Sequence, residues 1–499
     1  MNVATDQRTG ASLLNRMAGA APSALRGHEL KARVLRGGTW MGAGSFAEQA
    51  TRFARNMILA RLLAPDAFGT MAIVLSAGSV IHTITDMGVK EAIIQNPRGS
   101  EESYASAAWW LALGRAASLY AVIFLLAPWM SSFYGSHQLA PLLRVVGLGV
   151  ILDGALSSKA YLAIKEMKFG KWAIINNLGG ILGVVITVLL SFFLRDVWAL
   201  VLGNVAESAS RCLLSYILCP YLPSFSWDRA AARDLLQFSK GLFGLSFLNL
   251  IFMRTDVFVM AKLYAPAQLG LYVMAVSLIQ TPSGFVMNLL GQTLLPTFSH
   301  VQANHARVNR ILIRVSAFLA FVGIPGFVFM IFCGRALLTL AYGHSYAAAA
   351  IPLVAASFVA LANLLNGQIT TIFYSKGAPQ LHRTCVVIMA AIMIVTIYPF
   401  VKWFGLVGGQ IACLVSILSG YSFQLLRVHR VTGLDLGQYA KALLRPAVIS
   451  LIVGFLCLGA RHFPPLAGPF PTVVLGIVAS LLAYALGAFA FLRNNRSLA

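Results

Sequence analysis

Apolar stretches of about 20 residues, separated by short polar breaks, run through nearly the whole chain, and few folds tolerate that pattern. An α-helix of this length crosses roughly 30 Å of hydrocarbon. The stretches lack the two-residue alternation of a membrane β-barrel, which leaves helices as the spanning element. Composition agrees. Of the 499 residues 58% are hydrophobic and 11% charged, where a soluble protein carries about a quarter charged. We place fourteen spans, the first at 36–58, the fourth at 139–160 and the last at 471–492. The sequence predicts an all-α polytopic membrane protein.

The formal net charge is +22, and its distribution points to a membrane rather than to nucleic acid. With the N-terminus cytoplasmic, most of the 38 Lys and Arg fall in cytoplasmic segments, and the outer loops hold only Arg61, Arg195, Lys262, Arg335, Lys402 and Arg461. That bias is the positive-inside rule, so both termini are expected in the cytoplasm. The excess also attracts anionic inner-leaflet lipid. Residues 1–34 show no signal-peptide core and are expected to be a loose cytoplasmic segment. Six cysteines are scattered through the spans with no CxxC pair, as suits free thiols.

A short connector is written twice. "ILARLLAPDAFG" (Ile58–Gly69) follows span 1 and "VMAKLYAPAQLG" (Val259–Gly270) follows span 7. At an offset of 201 residues, Ala60/Ala261, Leu62/Leu263, Ala64/Ala265, Pro65/Pro266 and Gly69/Gly270 coincide, as do the basic Arg61/Lys262 and, further on, Ser76/Ser277. A weaker echo aligns Lys165 with Lys376. Six spans separate the copies, so both units enter the membrane from the same side. A parallel duplication of this kind has its pseudo-two-fold axis along the membrane normal, with cargo carried between two lobes. The expected organisation is a lead at 1–34, an N-lobe at 35–220 (spans 1–6), a cytoplasmic linker at 221–237, a C-lobe at 238–430 (spans 7–12), and an appendage of spans 13 and 14 at 431–499.

Ionisable residues inside spans cost at least about 2.5–3.5 kcal/mol each and are functional candidates by default. The arginines are Arg52, Arg55, Arg115, Arg144, Arg211 and Arg254; the acids at comparable depth are Glu48, Asp86, Asp153, Glu207 and Asp256. Glu48, Arg52 and Arg55 share one face of span 1, and Glu207 and Arg211 form an i, i+4 pair in span 6. Structural ion pairing is the competing use, strongest for Glu207–Arg211. Five of the six arginines belong to the N-lobe, so one wall of a central cavity should be cationic. The other should be polar and uncharged. Gln280, Asn288 and Gln292 share a face of span 8, and Asn363, Asn366 and Thr370 share one of span 10. Amides suit sugar hydroxyls, although interhelical hydrogen bonds use them equally well. Together the walls describe a cargo with an anionic end and a neutral polar end. His82 and Asp86, at i, i+4 in span 2, join Glu48, Asp153 and Asp256 as candidates for ion coupling.

No P-loop, HExxH or other metal-ligand spacing is present, so neither nucleotide hydrolysis nor a cofactor is implied. The outer loops are too short for an extramembrane catalytic domain. Pro282, Pro325 and Pro352 mark expected kinks.

"VLRGGTWMGAGSFAEQATRFARNMILARLLAPDAFGTMAIV", "DMGVKEAIIQ" (Asp86–Gln95) and "LLPTFSHVQ" after span 8 resemble the polysaccharide-exporter branch of the multidrug/oligosaccharidyl-lipid/polysaccharide flippase superfamily, close to exporters of colanic-acid type. The resemblance covers spans 1–12 and weakens over 13 and 14. It implies a non-enzymatic flippase that turns an undecaprenyl-pyrophosphate-linked oligosaccharide across the bacterial inner membrane, driven by an ion gradient or the membrane potential. It also implies a cationic cavity lined by spans 1, 2, 7 and 8, in which Arg52, Arg55 and Arg254 match by position. Arg115 and Arg211 join them by charge alone. Implied partners are the lipid-linked oligosaccharide, membrane lipid, and a polysaccharide polymerase and export machinery. The rivals are a cation-coupled multidrug exporter of the same superfamily, which would favour acids in the cavity, and a membrane-embedded polymerase or ligase, which would want a large outer loop.

Overall fold

The computed structural model describes residues 27–84, 89–166, 168–224 and 228–444, with scattered positions from 446 to 480. Asp86, Cys457 and most of spans 13 and 14 lie outside the described residues. Helices account for spans 1 to 12: α1 (Gly27–Leu62), α2 (Pro65–Ile84), the short α3 (Val89–Gln95), α4 (Glu102–Tyr134), α5 (Leu139–Gly154), α6 (Ser158–Lys165), α7 (Phe169–Leu194), α8 (Val197–Leu218), α9 (Arg229–Leu263), α10 (Pro266–Val301), α11 (His305–Tyr342), α12 (Ala350–Ser375), α13 (Pro379–Phe404) and α14 (Leu406–Thr432). No strand occurs among the described residues.

Among the described residues, seven helices (α4, α7 and α10 to α14) are long and apolar enough to cross a membrane, and the bent pair α5–α6 adds an eighth. Helices α1, α8 and α9 fall outside that set, and these three carry most of the intramembrane charges. Their polar faces must therefore be turned away from lipid. Conversely, Phe193 and Leu125 are 84% and 75% exposed on helices that pass, a degree of exposure that suits hydrocarbon and not water.

Span 4, expected as one element over 139–160, is broken. Its two parts, α5 and α6, meet at 53°. The backbone groups released at the break are taken up by α8 and α4. Tyr216 Oη donates to Ala155 O at 2.8 Å, with Trp109 Nε1 at 3.3 Å, and Ser157 N donates to Ser215 Oγ at 3.1 Å. A helix breaks inside a membrane only where neighbours satisfy its freed polar groups in this way. Helix α10 continues through Pro282, and α11 through Pro325. Pro352 lies in the first turn of α12, where the missing N–H has no intrahelical partner to lose.

The duplication is visible in the packing. In one lobe α4 packs on α5, α5 on α8, α8 on α7, α7 on α1 and α2 on α5. In the other, α11 packs on α12, α12 on α14, α14 on α13, α13 on α9 and α10 on α12, which is the same set with every span advanced by six. Contacts between lobes obey the same rule. Helices α2 and α10 pack on each other, α9 on α2 is matched by α1 on α10, and α9 on α4 by α1 on α11.

The repeated connectors meet on that axis. A Cβ added to Gly69 would stand 1.9 Å from Pro266 O, and one added to Gly270 would stand 1.7 Å from Pro65 O. Each glycine thus lets one copy's backbone rest on the other's proline carbonyl, an isologous contact in the sense used for two-fold dimers. The paired cations act across the same axis. Arg61 Nη2 donates to Leu340 O at 2.6 Å, near the end of α11, and Lys262 Nζ donates to Phe133 O, near the end of α4. Each caps the carbonyl end of a helix in the opposite lobe, where a cation is electrostatically favoured.

One apolar core, including Leu59, Phe68, Val74, Met260, Tyr272 and Tyr342, runs through both lobes around these connectors. Two further clusters form around Ile93 and Tyr104, where Ala231 and Leu235 of α9 pack against α3 and α4, and around Phe298 and Val308 in the second lobe. The lobes share one continuous core at the connector end, and the start of α9 also packs on α3 and α4.

Candidate functional site

Between the lobes lies a cavity of about 540 Å³. Helices α1, α2, α5, α7 and α8 wall it on one side and α9 and α10 on the other. Arg52, Arg55, Asp153, Glu207 and Arg211 line the first wall; Arg254, Asp256 and Gln280 line the second.

The cationic wall is assembled by helix spacing and by small residues. Arg52 and Arg55 come from the face of α1 that also carries Glu48. Arg52 Nη2 and Nε donate to Glu48 Oε1 at 3.0 and 3.2 Å. Helix α8 supplies Glu207 and Arg211, and glycines of α7 make room for their stems. A Cβ on Gly183 would be 2.5 Å from Glu207 Cβ, and one on Gly179 would be 2.5 Å from Arg211 Cγ. This Gly-x-x-x-Gly ridge brings α7 and α8 to near backbone contact, and the charged heads border the cavity, with Glu207 also beside a smaller pocket between α1 and α7.

Those heads converge on Glu207. Arg211 Nη2 donates to Glu207 Oε1 at 2.5 Å, while Arg52 Nη2 and Arg55 Nη1 stand 3.7 and 3.9 Å from its two oxygens. The last two distances are ion pairs but too long for hydrogen bonds. The Nε donors of Arg55 and Arg211 are buried without a hydrogen-bond partner among the described residues. An unfilled buried donor costs about 1–3 kcal/mol, more on a charged group. The wall is therefore rich in donors and short of acceptors, and an oxyanion with several oxygens would complete it.

The second wall differs. Asp256 occupies the position that Arg55 holds in the first half, 201 residues earlier. It is 7% exposed and accepts from Tyr272 Oη at 2.7 Å, and Gln410 Nε2 donates to that oxygen at 2.6 Å. Its other oxygen accepts from Val257 N. Arg254 is exposed beside the cavity and makes no hydrogen bond or ion pair among the described residues.

Not every expected residue arrives. Arg115 lies on α4, away from the cavity lining. Arg144 packs over the Phe124 ring at 4.2 Å, also outside it. Of the amides expected on the second wall, Gln280 lines the cavity, whereas Asn288 is exposed elsewhere on α10. Asn363 and Asn366 belong to α12, and Asn366 is buried within its own lobe against Met389 at 3.9 Å. The spacing placed these amides on one face, but α12 packs on α10, α11 and α14, so lobe interior covers that face. The Gln292 and His82 side chains lie outside the described residues, as does Asp86. The cavity includes two polar residues without a sequence-based role, Asn56 and Asn204. Asn56 continues the Glu48–Arg52 face at i+4, a signal available in the sequence. Asn204 lies in Gly-Asn-Val-Ala (Gly203–Ala206), which recurs as Gly-Gln-Ile-Ala (Gly409–Ala412) and pairs it with Gln410.

Comparison with known proteins agrees with this architecture. The family described as polysaccharide biosynthesis protein matches residues 58–352. The succinoglycan biosynthesis transport protein ExoT of Rhizobium meliloti (strain 1021) is 25% identical over 279 residues, 56% of this chain and 56% of that protein. The lipopolysaccharide biosynthesis protein WzxC of Escherichia coli (strain K12) is 20% identical over 425 residues, 85% of this chain and 86% of the relative. Among solved structures, the inward closed conformation of the lipid II flippase MurJ superposes with a TM-score of 0.75 at 14% identity, covering 91% of this chain and 98% of that one. An inward-facing multidrug resistance MATE family transporter of the MOP superfamily gives 0.57 at 13% identity, covering 77% and 95%. These structural likenesses establish the fold of paired helical lobes, and the family match, which spans more than half the sequence, establishes that the chain belongs to the polysaccharide biosynthesis protein family.

Proposed function

We propose that this chain is a flippase for undecaprenyl-pyrophosphate-linked oligosaccharide repeat units, working in the bacterial inner membrane to supply surface polysaccharide synthesis. The observation that carries the assignment is the donor-rich wall of Arg52, Arg55 and Arg211, three guanidinium groups converging on one carboxylate beside a cavity between two lobes. A pyrophosphate offers several anionic oxygens to such forked donors, and the polyprenyl tail stays in lipid while the headgroup crosses. The cycle is alternating access about the pseudo-two-fold axis and contains no chemical step. Both termini are cytoplasmic, which makes the connector end periplasmic. The lobes are 35–220 and 238–430, with 431–499 as an appendage. Asp153 and Asp256, which border the cavity, are the acids assigned to ion coupling, and a polymerase and export machinery receive the flipped units.

The test is an export assay in a strain lacking the protein, complemented with Arg52→Ala, Arg55→Ala or both. Each single variant is expected to lower export at unchanged membrane abundance, with lipid-linked units accumulating on the cytoplasmic leaflet. Normal export from the double variant refutes the assignment.

A further inference from the structure

We propose that Glu207 is the internal counter-ion of the cavity, a carboxylate that holds the anion site in the empty protein and is displaced by the phosphate of the cargo. The inference rests on the flippase assignment above and gives its substrate site a built-in competitor.

Three features single out Glu207. Its two oxygens stand within 4 Å of guanidinium groups from Arg52, Arg55 and Arg211, on two different helices. Glu48, by contrast, serves Arg52 alone. The occupancy is also incomplete, because only Arg211 hydrogen-bonds to Glu207 while buried donors on Arg55 and Arg211 go unused. A carboxylate has two oxygens where a phosphate presents three or more, so it fills such a site poorly and can be exchanged for a better ligand. Finally, the Gly183 backbone blocks movement of the Glu207 stem toward α7. A route off the arginines leads into the cavity, where Asn204 and Ser208 of its own helix supply polar neighbours.

A purely structural ion pair and an internal competitor differ in sign. Removing the charge from a structural pair loosens the arginines and weakens anion binding. Removing it from a competitor strengthens binding, since a unit charge about 4 Å from the incoming anion no longer opposes it. With the full chain purified in nanodiscs and inorganic pyrophosphate as probe, calorimetry on Glu207→Gln is expected to show at least about tenfold tighter binding than the natural protein. Export is expected to fall, because the bound anion lacks the group that replaces it on release. Glu207→Asp, which keeps the charge but sets it back from Arg52 and Arg55, is expected to move affinity the same way by less, and it decides the question if the glutamine variant does not fold. Unchanged or weaker binding by the folded variants, with Arg52→Ala/Arg55→Ala still abolishing binding, overturns the role of Glu207 and leaves the flippase assignment standing. Pyrophosphate binding that is absent from the natural protein and from every variant overturns both.

Discussion

The glycine pair at the connector end offers a perturbation whose size follows from geometry. In Gly270→Ala the new methyl would lie 1.7 Å from Pro65 O, 2.7 Å from its carbonyl carbon and 3.0 Å from Gly69 N. All three are backbone atoms, so no rotamer change makes room, and α2 and α10 must part by more than an ångström. Overpacking of this kind costs about 1–3 kcal/mol. The cost falls only on the arrangement in which the connectors touch. An alternating-access protein can escape it by opening that end, and a bias of this size shifts the balance between the two arrangements about 5- to 150-fold. Spin labels on the exposed flanks of the two connectors, at Asp66→Cys and Gln268→Cys in a cysteine-free background, report the separation by electron–electron resonance. Gly270→Ala is expected to enlarge the long-distance population, and Gly69→Ala, whose methyl meets Pro266 O at 1.9 Å, should do the same. A distance distribution unchanged in both folded variants would refute the reasoning, because the contact would then bear no load in the closed arrangement.

Two further outcomes are expected from groups outside the cationic wall. Asp228 caps α9 through Ala230 N and Ala231 N and pairs with Arg98 at 2.7 Å. The Ala231 N–H, and next the Arg98 guanidinium, hold its carboxyl below the usual carboxylate range. A depressed pKa in the folded state stabilises above the unfolded value, about 3.9, and that contribution is lost as pH falls through the folded value. The melting temperature in detergent should therefore fall more steeply below about pH 4 in the natural protein than in Asp228→Asn; equal slopes would refute this. In the second lobe, Asp256→Ala leaves the buried Tyr272 hydroxyl without its acceptor and should cost about 1–3 kcal/mol in a denaturant melt, with Asp256→Asn recovering much of the loss.

What the sequence made legible was local periodicity and internal repetition. The i, i+4, i+7 spacing of Glu48, Arg52 and Arg55 puts three charges on one face of α1; Arg52 and Arg55 border the cavity, whereas Glu48 lines a smaller pocket between α1 and α7. The connector repeat disclosed the duplication that the packing of twelve spans displays. Spacing does not say which neighbour covers a face. The amides of α12 and Arg115 of α4 were therefore placed in the cavity by residue type, while tertiary packing put them elsewhere. Glu207 shows the opposite failure. Within its own helix it is one half of an i, i+4 pair, and its place at the meeting point of three arginines arises only when α1 and α8 both pack on α7. The glycines Gly179 and Gly183, whose small size permits the close approach of α8 to α7, carry no charge to draw attention.

The division between what recurs in the two halves and what does not has a physical origin. Where the copies touch one another across the pseudo-two-fold axis, each surface is its own partner, and a change in one copy must be matched in the other. Pro65/Pro266, Gly69/Gly270 and Arg61/Lys262 sit under that constraint and have kept their chemistry. Around the cavity, away from those contacts, that constraint lapses. There Arg55 is matched by Asp256, Asn204 by Gln410 and Glu207, in the register of the Gly-Asn-Val-Ala repeat, by Cys413. In one lobe Arg55 and Glu207 belong to the arginine-rich wall, whereas in the other Asp256 and Gln410 join Tyr272 in a hydrogen-bonded network, with Arg254 lining the cavity beside it. A cargo with one charged end gains nothing from two cationic walls, and a second arginine cluster would carry a further desolvation cost in hydrocarbon of at least about 2.5–3.5 kcal/mol per charge. Symmetry is retained where the lobes meet each other and abandoned around the cavity, as the proposed cargo with two unlike ends would require.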